Sequence, residues 1–394
     1  MDFDAIYLQT ILMMDSTLRL ATPLIFAALA GIFSERAGII DIGLEGKMLI
    51  GACAAASVAA LLSDPNLVFG ITLYLAGSDA LLHDLNVYPE FAQHIKSRVA
   101  DISSLTTQPK EGTFLVSIFS AEQMYFLLRH MAPFWGLCAA VICSVMLALL
   151  HGFACITHKG NQITSGVAIN ILAAGLAPTA AHAIFRFNGM TPTLDEAGRF
   201  DSIDLPFQDI IGEIPLVGSL YVETISGHNF FVYLAILAVP FSYWLLYRTR
   251  LGLRLRASGE CPEAVDTAGI SVSKMRYKAV IICGTLCGFA GAYLSSAQGA
   301  SFVRDMTAGK GFLALAALVF GKWKPTLALW ACLVFAFADA TQARLQGVSL
   351  PYVGEVPAQA IEVLPYLLTV LLLAGFVGKA TAPKAIGKPY SKER

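Results

Sequence analysis

The chain has 394 residues, of which 56% are hydrophobic and only 14% charged, with a formal net charge of −1. Soluble domains carry about a quarter charged residues, so this chain has too little polar surface to face water and too much apolar surface to remain disordered. The near-neutral balance also excludes a nucleic-acid binder with a basic face. The composition fits an all-α polytopic membrane protein, because lipid leaves backbone polar groups no partner outside a helix.

The amino terminus, MDFDAIYLQT, has neither the basic start nor the small-residue cleavage site of a signal peptide, so insertion is expected to rest on the internal spans. In chain order, the apolar stretches Leu20 to Ser34 and Met48 to Ser63 predict two spans whose flanking residues enter the membrane or snorkel. Met131 to Thr157, Gly160 to Phe185, Asn229 to Tyr247 and Ala279 to Val303 carry no formal charge beyond His151 and His182 and predict four full spans. Gly311 to Gly321 predicts a half-helix of about 16 Å, preceded by an inward dip of Ser301 to Lys310. Pro325 to Ala338 and Val363 to Gly378 complete a set of about 8–10 transmembrane helices with broken or re-entrant segments.

Lysine and arginine set the orientation. With Arg248 to Lys278 placed in the cytoplasm, alternation puts 17 of the 27 basic residues in short inner segments. The longer outer segments hold the other ten and most of the acidic residues, which is the bias the positive-inside rule demands. The amino terminus is then expected outside and the carboxyl terminus inside. Residues 1–394 read as one transmembrane domain with outer segments at 64–132 and 186–228 and an inner segment at 248–278. Two stretches, Pro65 to Ser78 and Gly112 to Leu128, are expected along the outer interface. Between them Phe91, Ile95, Val99 and Ile102 recur at helical spacing beside charges, as in an amphipathic surface helix. The 186–228 segment, with Pro192, Pro206 and Pro215, reads as an ordered loop with turns.

The inner segment contains CPEAVDTAG, Cys261 to Gly269. Pro262 suits a first helical turn, Glu263 complements the helix dipole and Gly269 suits a left-handed cap, with Gly259-Glu260 as the turn before it. A short loop would suffice to join two spans, so a capped helix here suggests a docking surface. An ordinary capped loop helix is the alternative.

The stretch resembles the coupling helix of bacterial ABC importer permeases. The family mark is Glu-Ala-Ala, three residues, then Gly; here Val265 replaces the third residue. Three further blocks resemble the same superfamily: Ser34 to Ala52 (SERAGIIDIGLEGKMLIGA), Gly160 to Asn170 (GNQITSGVAIN) and Asp305 to Pro325 (DMTAGKGFLALAALVFGKWKP). Asp41 and Asp305 stand where Asn is usual. Together the four blocks are similar to the branched-chain amino acid/ribose-type permeases, and within them to the nucleoside-uptake branch. The resemblance implies a permease subunit of an importer in the bacterial inner membrane. It also implies a separate ATPase subunit, a second permease subunit, identical or homologous, and an extracytoplasmic solute-binding protein. Glu260, Pro262, Glu263, Ala264 and Gly269 would form the docking helix. The long insertion near 64–132 departs from most relatives.

The residues carry their own reading. Gly38, Gly43 and Gly46 interrupt one apolar stretch and Gly309 and Gly311 another. Broken helices expose backbone groups that are tolerable only beside protein or a watery path. By the topology above, the first break lies near the inside and the second near the outside, which suggests an inverted repeat around a central site. Glu45 and Asp41 sit at the first break. Glu45 either faces a path or pairs with Lys47 or Arg36. Asp339 and Glu362 pose the same question in later spans. Asn161, Gln162, Thr164, Ser165 and Asn170 offer groups that either hydrogen-bond a neutral, hydroxyl-rich solute or join helices to one another. The tentative path comprises Asn161, Gln162, Ser165, Asn170, Glu45 and Phe312.

All cysteines except Cys261 lie in apolar runs and are expected to pack as small side chains. No cysteine–histidine spacing fits a metal site, and the histidines, His151 and His182 included, stand singly. No GxxxxGK[ST] loop occurs, so ATP is expected on the partner and no cofactor on this chain. The expected function is nucleoside import without covalent chemistry. The alternatives are a simple-sugar permease for solutes such as ribose, and an ion-coupled secondary transporter using Asp41 or Asp339.

Overall fold

The computed structural model describes residues 3–68, 121–206, 217–345 and 381–392, with a few isolated positions between them. Among these, seven helices are long and apolar enough to cross a membrane, and the chain is a multi-pass membrane protein. They are α1 (Phe3–Arg36), α2 (Leu44–Ser63), α4 (Ala132–Gly152), α5 (Gln162–Phe185), α6 (Phe230–Arg248), α9 (Val272–Tyr293) and α11 (Pro325–Leu345). Between them lie α3 (Ala121–His130), α7 (Arg250–Glu260), α8 (Pro262–Thr267) and the short apolar α10 (Lys310–Phe320).

Three helices form the middle of the bundle. Almost every residue of α1 from Ala21 to Phe33 is buried, as is most of α2 and α9. A helix apolar on all sides must be surrounded, and α4, α5, α6 and α11 surround these three. The outer helices turn Ile142, Met146, Ile171, Leu237, Trp244 and Trp330 outward, where lipid receives them. Contacts between central helices depend on small residues. A Cβ added to Gly288 of α9 would lie 2.7 Å from Val141 Cα of α4, so only glycine permits that approach.

The spans begin earlier or run longer than the apolar windows. α1 extends through Asp15 and Arg19, which neutralise each other as an i,i+4 pair at 2.9 Å. α2 starts at Leu44 and encloses Glu45 and Lys47. α9 starts at Val272 rather than Ala279, because the carboxyl-terminal tail absorbs Arg276: its Nη1 donates to Lys388 O at 3.1 Å. Gly259-Glu260 is no turn; both residues end α7, and the chain breaks one residue later at Cys261. Cys138 is exposed on α4 and does not pack, whereas Cys53, Cys155, Cys283, Cys287 and Cys332 are buried.

At the end of the bundle holding Ser63, a two-residue antiparallel pair joins β1 (Ser202–Ile203) to β2 (His228–Asn229). Phe200 anchors this loop in a ring cluster with Phe134 and Phe231, at 5.1 and 4.8 Å between centroids. Strands β3 (Ser349–Leu350) and β4 (Gly354–Glu355) form a second small pair. The stretches predicted at Pro65 to Ser78, Phe91 to Ile102 and Val363 to Gly378, and Glu362 with them, lie wholly or largely outside the described residues, and of Gly112 to Leu128 only residues 121–128 are described, as part of α3.

At the opposite end, the tail over 383–392 straps several segments together. Ala385 N donates to Gly259 O (2.9 Å), Gly387 N donates to Gly38 O (3.2 Å), and Lys392 pairs with Asp266 at 3.6 Å.

Candidate functional site: a broken helix braced against a half-helix

Between α1 and α2 the chain leaves helical geometry over residues 37–43, yet Ala37, Ile39 and Asp41 are fully buried. Buried backbone groups need partners, and two neighbouring spans supply them as side chains. Ile40 N donates to Gln162 Oε1 (2.7 Å), and Ile40 O lies 3.1 Å from His151 Nε2. Asn170 takes two more: its Oδ1 accepts from Gly46 N (2.8 Å) and its Nδ2 donates to Ile42 O (3.0 Å). His151 Nδ1 is held in turn by Ser165 Oγ at 3.0 Å.

Beneath this braced segment lies a fully buried ion pair, Asp41 with Lys47. Asp41 also accepts from Gly43 N and from Cys283 Sγ, each at 3.2 Å. Ser144 Oγ donates to Lys47 O at 2.6 Å. The pair ties the break to α2 and α9. A buried charge persists only with its counter-charge, and each member here is the other's.

The second break meets the first. Glu45, in the first turn of α2, accepts from Gly309 N through Oε1 (2.8 Å) and from Gly311 N through Oε2 (2.5 Å). These amides open α10. At the other end of α10, Arg36 donates from Nε to Trp323 O (3.1 Å), and Glu35 Oε2 accepts from Trp323 Nε1 (2.5 Å). A half-helix about 16 Å long therefore has a carboxylate at its positive end, while at its other end Arg36 and Glu35 together hold Trp323. Glu45, Arg36 and Glu35 all flank the first break. A Cβ added to Gly311 would lie 2.6 Å from Glu45 N, so a side chain there would push the two helices apart.

Several expectations change with this geometry. The breaks are not held apart on opposite faces but abut at Glu45, because the half-helix carries its amino-terminal end into the bundle. Glu45 pairs with neither Lys47 nor Arg36. His151 does not stand singly. Asn161 caps α5, accepting from Ile163 N and Thr164 N at 2.9 and 3.1 Å. Gln162 and Ser165 brace the break directly or through His151, and Phe312 is half exposed on α10. The signal missed in the sequence was the demand itself: a buried break needs donors and acceptors, and the amides at the start of α5 were those available.

A cavity of about 370 Å³ lies where the two breaks meet, lined by Glu45, Gly46, Asn170, Asp305, Thr307 and Gly309 among others. Of the tentative path residues, Glu45 and Asn170 line it. Its volume suits one small solute. Among the described residues no group of histidine, cysteine and carboxylate side chains fits a metal ion.

On α8, Pro262 and Val265 are buried against the bundle while Glu263, Ala264 and Thr267 are exposed. Gly269 closes the element at φ 77°, a left-handed conformation that suits glycine. Glu260 Oε2 lies 3.4 Å from Lys384 N and thus faces the tail.

A family model described as branched-chain amino acid transport system / permease component matches residues 13–373. The guanosine ABC transporter permease protein NupQ of Bacillus subtilis is 35% identical over 96% of this chain and 95% of its own. The nucleoside ABC transporter permease protein NupC of Lactococcus lactis is 29% identical over 95% of each. The putative glucose ABC transporter permease protein TsgC13 of Haloferax volcanii is 29% identical over 97% of this chain and 98% of its own. No solved structure matches the chain.

Proposed function

The chain belongs to the permease-component family of branched-chain amino acid transport systems, and from that premise we propose that it is the membrane subunit of an ATP-driven importer of nucleosides. The observation that carries this reading is the cavity of about 370 Å³ at the junction of two broken helices, an apolar-walled space with a few polar side chains at its edge. Guanosine- and nucleoside-permease relatives that align along nearly the whole chain support the choice of solute.

On this reading the working parts are as follows. A solute-binding protein delivers the nucleoside to the outer end of the bundle, where the 186–228 loop lies. A separate ATPase subunit docks on the exposed face of α8, with Glu263 and Ala264 at the contact, Pro262 and Val265 seating the helix, and Gly269 ending it. A second permease subunit, identical or homologous, completes the path. The ATPase side is the basic inner face of a bacterial inner membrane, with the amino terminus outside and the carboxyl terminus inside. The chain forms no covalent bond with its cargo.

The ion-coupled alternative loses ground on one point. Asp41 is saturated by Lys47, Gly43 N and Cys283, so it offers no free carboxylate for a travelling ion. A sugar permease remains the second reading because of the glucose-permease relative. Uptake of labelled guanosine and ribose by the reconstituted complex separates the two. ATP-dependent guanosine uptake is expected. Uptake of ribose alone, or uptake by this chain without ATP, overturns the proposal.

A further inference from the structure

Glu45 occupies an unusual electrostatic position. It lies in the first turn of α2, close to that helix's positive end, and both its oxygens accept from amides at the positive end of α10. Each helix terminus carries about half a positive charge. Two such ends brought together repel each other and form a natural place for an anion. The closeness of Gly311 to the Glu45 backbone, 2.6 Å for an added Cβ, shows how tightly they abut. The chain fills the place with its own carboxylate.

The same carboxylate lines the cavity. Asp305 lines it too, and among the described residues no lysine or arginine does. Lys310 opens α10 but is not part of the lining. A solute entering therefore meets a wall that includes Leu49, Ile171 and Ala174, with the Glu45 and Asp305 carboxylates beside it, while the helix-end amides that would welcome a phosphate are already taken.

We propose that Glu45 is a specificity-determining residue: as a resident anion bridging two helix ends, it makes the path accept neutral, hydroxyl-bearing solutes and reject their phosphorylated or carboxylated counterparts. This rests on the function proposed above for the choice of neutral solute, though not for the anion chemistry. The physical basis is that a helix end already occupied by a carboxylate offers no open amide to a second anion, and that a vacated pair of helix ends attracts whatever anion fits.

Two measurements on the assembled permease–ATPase complex test it. In the first, Glu45→Ala vacates the place, and formate at constant ionic strength is the probe. The melting temperature of the variant complex is expected to rise by at least about 2 °C with formate, and that of the parent to stay flat. No formate effect on the variant, or an equal rise in the parent, overturns the proposal. In the second, the parent complex is used, so the result does not depend on the variant folding. Guanosine and guanosine 5′-monophosphate compete against labelled guanosine for the complex without its binding protein. The monophosphate is expected to compete at least about tenfold more weakly, and equal competition overturns the proposal. If the parent binds no guanosine at all, the nucleoside reading fails, and the formate response alone then decides the role of Glu45.

Discussion

Replacing Lys47 with Met is the sharpest probe of the braced break. The side chains have similar volume, so packing is conserved and the change is chiefly one of charge. Asp41, fully buried, would keep only Gly43 N and Cys283 Sγ, each at 3.2 Å, with His151 Nε2 4.0 Å away. Removing one member of a buried pair costs about 3–5 kcal/mol. At about 2–4 °C per kcal/mol for a large domain, the melting temperature of the detergent-solubilised protein should fall by roughly 10 °C. Asp41→Asn should cost a similar amount, since it strands Lys47 instead. The double substitution removes both charges and should return to within about 1 kcal/mol of the parent. Thermal unfolding of the four proteins gives the coupling energy directly. If Lys47→Met costs less than about 1 kcal/mol, or the double variant loses the sum of the singles, the pair does not hold the break and the reasoning is wrong.

Other consequences are simpler to measure. Asn170→Ala strands Ile42 O and Gly46 N and should cost about 2–6 kcal/mol, at about 1–3 for each lost partner. This loss should be seen in thermal unfolding without any solute present; an unchanged melting temperature would make Asn170 a solute contact rather than a brace. Gly311→Ala should abolish uptake while the protein still inserts, because the added methyl meets Glu45 N at 2.6 Å and overpacking of this kind costs about 1–3 kcal/mol; normal uptake would show that α10 has room to shift. Gly269→Ala, at φ 77°, should cost about 1 kcal/mol and weaken the coupling of ATP hydrolysis to uptake, as should Glu263→Lys on the exposed face. ATPase and uptake rates measured on the same vesicles test both, and unchanged coupling in both would remove α8 as the docking element.

The sequence made some parts of this legible and hid others for a physical reason. Long uncharged runs such as Asn229 to Tyr247 announce spans, since lipid tolerates little else. Gly309 and Gly311 announce a break, and the proline and glycine around α8 fix a short helix, because these are properties of adjacent residues. What could not be read locally is who answers whom. Glu45 finds its partners more than 260 residues away, and Gln162 finds Ile40 N 122 residues back. Lys47 looked like an interfacial charge able to reach water, yet it is fully buried because Asp41 was carried to it by the break. Treating each buried break as a set of polar groups in need of partners would have directed attention from the solute to the scaffold.

The strap over 383–392 bears on how force could travel. Residues far apart in the chain are sewn together at this end: Gly38 to Gly387, Gly259 to Ala385, Arg276 to Lys388 and Asp266 to Lys392. α8, the foot of α9 and the entrance to the first break are thus rivets in one plate rather than three separate loops. A plate tilts as a whole, so a displacement of α8 by a partner reaches Gly38 without first having to bend α7. Residues 383–392, easily dismissed as a tail, are what give that lever its stiffness.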